Sequence, residues 1–559
     1  MRRLLLLSLI LVSGACHRAA RPDVSVPREA FAGEPVRLVA SGAEEPGPVW
    51  FIDDRQVAQG ASVEHSFHTA GVHRVRAELD GDTLHVEELT VLPRPVLRAI
   101  PAQVAQVTWI PHVQRALEPA VDFLERATPS FSAAADEDPF LRYALELSAG
   151  PPPPELGLDP EEGLAAFRLH EVPGSIVTIG VQDDAAALRS VRRAFVQRGY
   201  TATEASGVIA LGHREGRTAF AFTDRGYLYL LMSEGAESFA ALDRVRDVVR
   251  ASPAEGLSGD QTLGRLRERV MAGQVYVLLR PRRSAGEGPR IEGALTSLQF
   301  ASEVLAIDGF VLADGPLWNV TSAPAGSPLE GGAHGPVLAA SLSVAPEELA
   351  KLLRGGLDGD DDAELAQLER AFTGTVGLTA YLDARGTLDR LGKNPGAPDV
   401  SGTLLAHVGV RDRPLAESLV ERALRQRGLT YEKRPATDAT AFLFELRGRR
   451  AVVEVTEDRL NLEAGEPLRD REGGRLLQQL QERYGAQTFG PGHASLLIDL
   501  GQVLRELSQA QAGGGKAAAM TGLARSFLQQ LTAVDTVFVD VQPVDEGARL
   551  KGRVTLRPR

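Results

Sequence analysis

Residues 180–201, GVQDDAAALRSVRRAFVQRGYT, decide the architecture, because residues 409–430, GVRDRPLAESLVERALRQRGLT, repeat them without a gap. Half the positions are identical, among them Gly180/Gly409, Asp183/Asp412, Val191/Val420, Arg193/Arg422, Arg198/Arg427 and Gly199/Gly428. Working outward, both copies run on into β-rich segments (FAFTDRGYLYL and VVEVTEDRLNL). A helix-forming segment follows in each (LGRLRERVM and RLLQQLQER), then another strand. Both end alike, in AIDGFVLAD at 306–314 and AVDTVFVDV at 533–541. Separated matches in one order predict two copies of one module of roughly 230 residues following residue 95.

The local signals within each copy are those of an α+β unit. Leu188, Val191, Ala194 and Phe195 fall on one face of a helix of about four turns, opposite Arg189, Arg192 and Arg193. Asp183 and Asp412 precede the two helices, where a carboxylate accepts from free amides. Gly199 and Gly428 stand where a C-cap glycine belongs, beside Arg198 and Arg427. Further helices are expected at 113–126 and 237–251, and strands at 175–181 and 227–232. The runs 219–223 and 227–231 flank Arg225-Gly226 as a hairpin. Sheets are therefore expected to be largely antiparallel, with helices covering one face.

Ahead of the repeat, residues 23–94 read as all-β. Val24, Val26, Val36, Leu38, Val49, Phe51, Val63, Phe67, Val72, Val75 and Leu79 alternate in short runs between turn signals at 32–34, 45–47 and 80–82. Trp50 is the expected buried aromatic. The stretches AFAGEPVRLVASG, PVWFIDD and GASVEHSFHTAGVHRVRAEL resemble a PKD domain, an immunoglobulin-like sandwich common in bacterial surface proteins, through Gly33, Trp50, His65, Phe67, Gly71 and Val75. Two positions depart from that family: its usual Gly-Asp-Gly is Asp53-Asp54-Arg55, and its common Tyr is His73. The resemblance implies a spacer or binding accessory and no catalysis.

The first residues, MRRLLLLSLILVSGAC, combine a positive start (Arg2, Arg3), a short apolar core and small residues before Cys16, the single cysteine. That is a secretory pattern whose apolar run is too short to span a bilayer. It resembles the lipobox of bacterial lipoproteins, with Ser13 where that family usually has Leu. The resemblance implies that Cys16 becomes the lipidated N-terminus. The expected organisation is thus a signal peptide at 1–15, a tether at 16–22, the PKD/Ig-like sandwich at 23–94, module copy 1 at 95–323, a linker at 324–336 and copy 2 at 337–559.

Candidate chemistry is sparse. Asp358, Asp360, Asp362 and Glu369 have the spacing of oxygen ligands in a calcium loop, but Ala363 stands where the loop needs glycine, so an acidic helix start is preferred. AGGGKAAAM at 512–520 lacks the spacing of a phosphate-binding loop. His65 and His68, three apart on a strand, point to opposite faces and do not suit a shared metal. No catalytic residue, cofactor or metal is expected, and a net charge of −13 argues against nucleic-acid binding. The expected function is non-enzymatic binding or scaffolding at the outer membrane or cell surface, attached through the lipid anchor, with an envelope protein or polysaccharide as partner. Two alternatives stay open: an envelope hydrolase with its site between the modules, and a carrier of an apolar ligand.

Overall fold

The computed structural model describes residues 22–558 except 32–34, 44, 68–70, 93–94, 129–153, 171, 215, 235–237, 253–254, 282–288, 320–328, 330–332, 334, 355–361, 394–400, 447, 466–474, 486–487, 491 and 512–532. Strands outweigh helices, and the strand pairings are almost all antiparallel. Two compact units divide the chain. One draws on residues up to Pro101, on Pro152–Ala165 and on Pro173–Gly256; the other takes Ala102–Pro151, Ala166–Val172 and Leu257–Arg559. The stretch 95–323 thus contributes to both units.

In the first unit the strands are β1 (Asp23–Ser25), β2 (Glu29–Phe31), β3 (Pro35–Ser41), β4 (Val49–Ile52), β5 (Arg55–Gln59), β6 (Ser62–Ser66), β7 (Gly71–Leu79) and β8 (Asp82–Leu92). They form one sheet in the order β1-β3-β6 and another in the order β2-β8-β7-β4-β5. Alternation along β3 turns Val36, Leu38 and Ala40 inward, where they share a core with Trp50, Ile52, Val75, Ala77, Leu89 and Val91 of the other sheet. Trp50 is fully buried and its indole N–H donates to the Gly60 carbonyl at 2.9 Å. The β4–β5 turn places Asp53 and Asp54 at φ 46° and 64°, as a two-residue hairpin turn requires. Asp53 Oδ1 accepts from the Arg74 N–H at 3.0 Å, and Oδ2 lies 2.7 Å from His73 Nδ1. The two departures from the PKD pattern therefore touch each other. Burial opposes ionisation of Asp53, but the Arg74 amide and the His73 ring outweigh it and hold the carboxyl below its ordinary range.

The chain continues through β9 (Val104–Ile110), α1 (Val113–Ala127), β10 (Leu158–Leu169), β11 (Ser175–Val181), α2 (Asp184–Gln197), β12 (Thr201–Ala205), β13 (Val208–Gly212), β14 (Arg217–Asp224), β15 (Tyr227–Glu234), α3 (Ser238–Ala251), α4 (Gln261–Arg269), β16 (Val275–Leu279), β17 (Ile291–Phe300) and β18 (Val304–Ala313). Next come β19 (Leu338–Ser343), α5 (Pro346–Arg354), α6 (Asp362–Ala371), β20 (Phe372–Leu382), α7 (Ala384–Lys393), β21 (Gly402–Val410), α8 (Arg413–Gln426), β22 (Tyr431–Pro435), β23 (Ala439–Leu446), β24 (Arg449–Thr456) and β25 (Arg459–Gly465). The last elements are α9 (Leu476–Tyr484), β26 (Ala494–Asp499), α10 (Leu500–Gln511), β27 (Val534–Val544) and β28 (Gly547–Leu556).

The first unit also holds the antiparallel sheet β11-β15-β14-β13-β12. Its β14–β15 turn is Arg225-Gly226, at φ 48° and 75°. The second unit carries one continuous antiparallel sheet. Its order is β9-β16-β17-β18-β28-β27-β26-β19-β20-β21-β25-β24-β23-β22.

Pairing orders recur. The run β11-β15-β14-β13-β12 has the same order as β21-β25-β24-β23-β22, and β9-β16-β17-β18 the same as β19-β26-β27-β28. The expected match of 306–314 with 533–541 is corrected by this order. Residues 306–314 lie mostly on β18, whose place corresponds to β28, whereas 533–541 lie mostly on β27. Both strands centre an acid in an apolar run, so pattern alone could not choose between neighbours. The longer stretch between β26 and β27 shifts the offset.

The seam between β18 and β28 is tightly registered. Asp308 lies opposite Lys551, Gly309 opposite Leu550 and Ile307 opposite Gly552. A Cβ on Gly309 would come within 3.3 Å of Leu550 Cδ2, and one on Gly552 within 3.1 Å of Ile307 Cβ. Each glycine sits where a side chain of the facing strand crosses.

Candidate functional site

Directly opposed residues of antiparallel strands share a face, so the register traces a row through the seam. Ser297 lies opposite Asp308, Asp308 opposite Lys551, and Lys551 opposite Asp540. Asp540 in turn lies opposite Ser495, and Ser495 opposite Ser341. All are buried except Lys551, which is exposed. A long, flexible stem lets an ammonium reach water from a row whose short members stay buried.

Asp540 organises the second half of this row. Its Oδ1 accepts from Ser495 Oγ, and its Oδ2 lies 2.9 Å from Nδ1 of the buried His493. Ser495 Oγ accepts from the Phe489 N–H at 2.9 Å. Phe489 itself is fully buried at φ 59°, a left-handed conformation that costs a bulky residue about 1–3 kcal/mol. The Phe489 ring packs 5.8 Å from Phe538, which stacks on Tyr484 at 4.5 Å. The loop before β26 is thus pinned by a network and an aromatic cluster together. Burial pushes the Tyr484 hydroxyl above its usual range, against the nearby Arg483 charge.

Asp540, on its Nδ1 side, leaves His493 Nε2 as the ring atom available for chemistry. Ser495 is bonded to the carboxylate and not to the imidazole. An acyl-transfer triad needs histidine between serine and acid, so Ser495 is a positioning residue here. Asp308, on the other side of Lys551, accepts from the Met271 N–H at 2.7 Å and faces Arg549 at 3.6 Å.

Above this row lies a cleft of about 610 Å³, lined from β17, β18, β27 and β28 and by the loop around His493. Arg483, Arg549, Lys551 and Arg553 all reach it. Arg483 pairs with Asp499 at 3.6 Å and Asp535 at 3.9 Å. Lys551 and Arg553 have no ion-pair partner among the described residues.

The expected positions divide clearly. Cys16 lies outside the described residues, as do Gly33, His68, Asp358, Asp360 and the glycine-rich 512–520. Asp362 opens α6 and Glu369 lies within it. Among the described residues no group of three or more His, Cys, Asp or Glu could hold a metal. His65 packs edge-on to Phe67 at 5.0 Å. Asp183 accepts from the Ala186 N–H at 2.9 Å and Asp412 from the Leu415 N–H at 3.1 Å, so both cap their helices. Gly199 and Gly428 take φ 85° and 66° at the other ends. His493, Asp540, Asp308 and Lys551 escaped sequence reasoning. One signal was available: TVFVDVQ and AIDGF each set an acid inside an apolar run, although alternation alone places Asp540 on the face opposite Val537, Val539 and Val541. No family model and no curated protein matches the chain.

Proposed function

We propose that the chain is a bacterial cell-envelope lipoprotein, held at the outer membrane by lipid on Cys16, that works by binding and not by catalysis. Its organisation is a PKD/Ig-like sandwich serving as spacer, followed by two repeated α+β modules. The recurring pairing orders and the paired helix caps support the duplication. The two-sheet core around Trp50 and the compensating Asp53–His73 contact support the sandwich. Several acyl chains on one cysteine would hold such a chain far more firmly than one. Among the described residues no helix is long and apolar enough to cross a membrane.

The observation that carries the binding function is the seam cleft, lined by strands from both sides of the seam and by four cations, two of which, Lys551 and Arg553, have no ion-pair partner among the described residues. Ser495 Oγ donates to Asp540 and so is not set against the His493 ring as a triad serine would be, which speaks against a serine nucleophile. Charged walls fit an envelope protein or polysaccharide better than an apolar cargo. Pulldown from envelope extract with the lipid-anchored protein should recover a reproducible partner, and palmitate labelling should vanish in Cys16→Ser. Labelling that persists in that variant contradicts the anchor. One observation favours a hydrolase as the second possibility: the buried His493–Asp540 pair, a common acid–base unit. Turnover of an envelope substrate that His493→Ala abolishes would establish it.

A further inference from the structure

Three cations, Arg549, Lys551 and Arg553, alternate along β28 and so share one face, with successive charges about 7 Å apart. On β27 they are flanked by Gln542, Asp540 and Phe538; on β18, by Phe310, Asp308 and Ala306. The two carboxylates beside this stripe also line the cleft, but both are buried and already engaged. Asp540 is taken by Ser495 and His493, and Asp308 by the Met271 amide with Arg549 alongside. Neither reaches Lys551 within ion-pair distance. Lys551 and Arg553 therefore face the cleft as surplus positive charge, in a chain whose net charge is −13. Concave, low-dielectric walls focus such a field on whatever enters. A volume of about 610 Å³ suits a small molecule or one unit of a polymer.

We propose that the seam cleft binds an anionic group, a carboxylate or a phosphate carried on a ligand of about sugar size, held by Lys551 and Arg553 with Arg549 in support. This rests on the binding function above and names the chemistry of its ligand. Arginine offers a planar fork to a carboxylate or phosphate, and lysine a mobile point charge beside it. His493, fixed by Asp540, supplies one further polar contact at the wall.

The test is titration calorimetry on the purified full chain with glucuronate, glucose 6-phosphate and glucose as probes. At least one acidic probe should bind, with glucose at least tenfold weaker, and affinity should fall as salt rises. The carboxylate and phosphate arms tell which anion the cleft prefers. Lys551→Gln/Arg553→Gln should lose tenfold or more in affinity with its unfolding midpoint unchanged, since both side chains are exposed. Arg434→Gln, remote on β22 and engaged with Glu432, should bind as the parent does. Binding of neither acid, equal binding of glucose, or an unaffected double variant overturns the proposal. The binding function itself stands or falls separately. An envelope partner captured equally by parent and double variant leaves that function intact while removing the anion site.

Discussion

On either side of the seam the same strand order carries two different interiors. In the β9-β16-β17-β18 half, Trp109 lies opposite Tyr276, and the two rings stack at 4.9 Å. Tyr276 lies opposite Ser297, and its hydroxyl accepts from the Gly273 N–H at 2.8 Å. The corresponding places in the β19-β26-β27-β28 half are held by Ser341, Ser495 and Asp540. One half closes its row with aromatic area. Both rows bury a carboxylate, but Asp308 in the first is answered by the Met271 amide and Arg549. Asp540 in the second stands where the first has Ser297 and is surrounded by the side chains of Ser495 and His493, because an unpaired buried charge is far more expensive than a buried ring. The strand order is the same in both halves. The difference therefore lies in side chains that leave His493 and the β28 cations at a cleft.

Substitutions on the two sides of the seam should separate the two interiors. Asp540→Ala, which strands His493 and Ser495 in the interior, is expected to cost about 3–5 kcal/mol in urea unfolding. Trp109→Ala should cost a similar ~3–5 kcal/mol through lost area and a cavity. The causes separate in rescue variants. An all-apolar replacement of His493, Ser495 and Asp540 should recover much of the Asp540→Ala loss, because no polar group then lacks a partner. If it recovers nothing, the network is not what the second half depends on.

Smaller effects sharpen the symmetry of the seam. Gly309→Ala and Gly552→Ala each push a methyl against the side chain crossing from the facing strand, and matched losses of about 1–3 kcal/mol are expected from overpacking. Unequal losses, read from the same unfolding curves, would show that the two glycines are not equivalent. Ser297→Ala, whose hydroxyl bond to the Asp308 carbonyl is 3.3 Å long, should cost only about 0.5–1.5 kcal/mol.

The smallest effect lies in the sandwich. Asp53 has a depressed folded pKa, so its contribution is present above the ordinary aspartate value of 3.8 and is lost as pH falls through the depressed one. Asp53→Asn should flatten that acid limb of the stability curve. The partly exposed Asp53–His73 contact should contribute at most about 1 kcal/mol in a double-mutant cycle.

The paired helix ends were legible because their markers are local. An aspartate three residues ahead of the amide it caps and a glycine at the helix end are decided within one turn, and both α2 and α8 carry them. The hairpin at Arg225-Gly226 was legible for the same reason. The seam was not, since Ser297, Asp308, Lys551 and Asp540 meet only through strand register, and registers between distant strands leave no short-range trace. Asp540 stood out as an acid inside an apolar run, but neither its inward direction nor the histidine and serine that satisfy it could be read there. The two PKD departures were visible singly, at Asp53 and at His73. Their contact needed the β4–β7 pairing to bring them together.

Hydrogen exchange on the full chain, with and without saturating acidic probe, tests the joint site most directly. Added protection is expected on β18 and β28 together, with the loop before β26, and should disappear in Lys551→Gln/Arg553→Gln. Protection confined to one side of the seam, or spread to strands far from β28, would contradict a binding site shared across the seam.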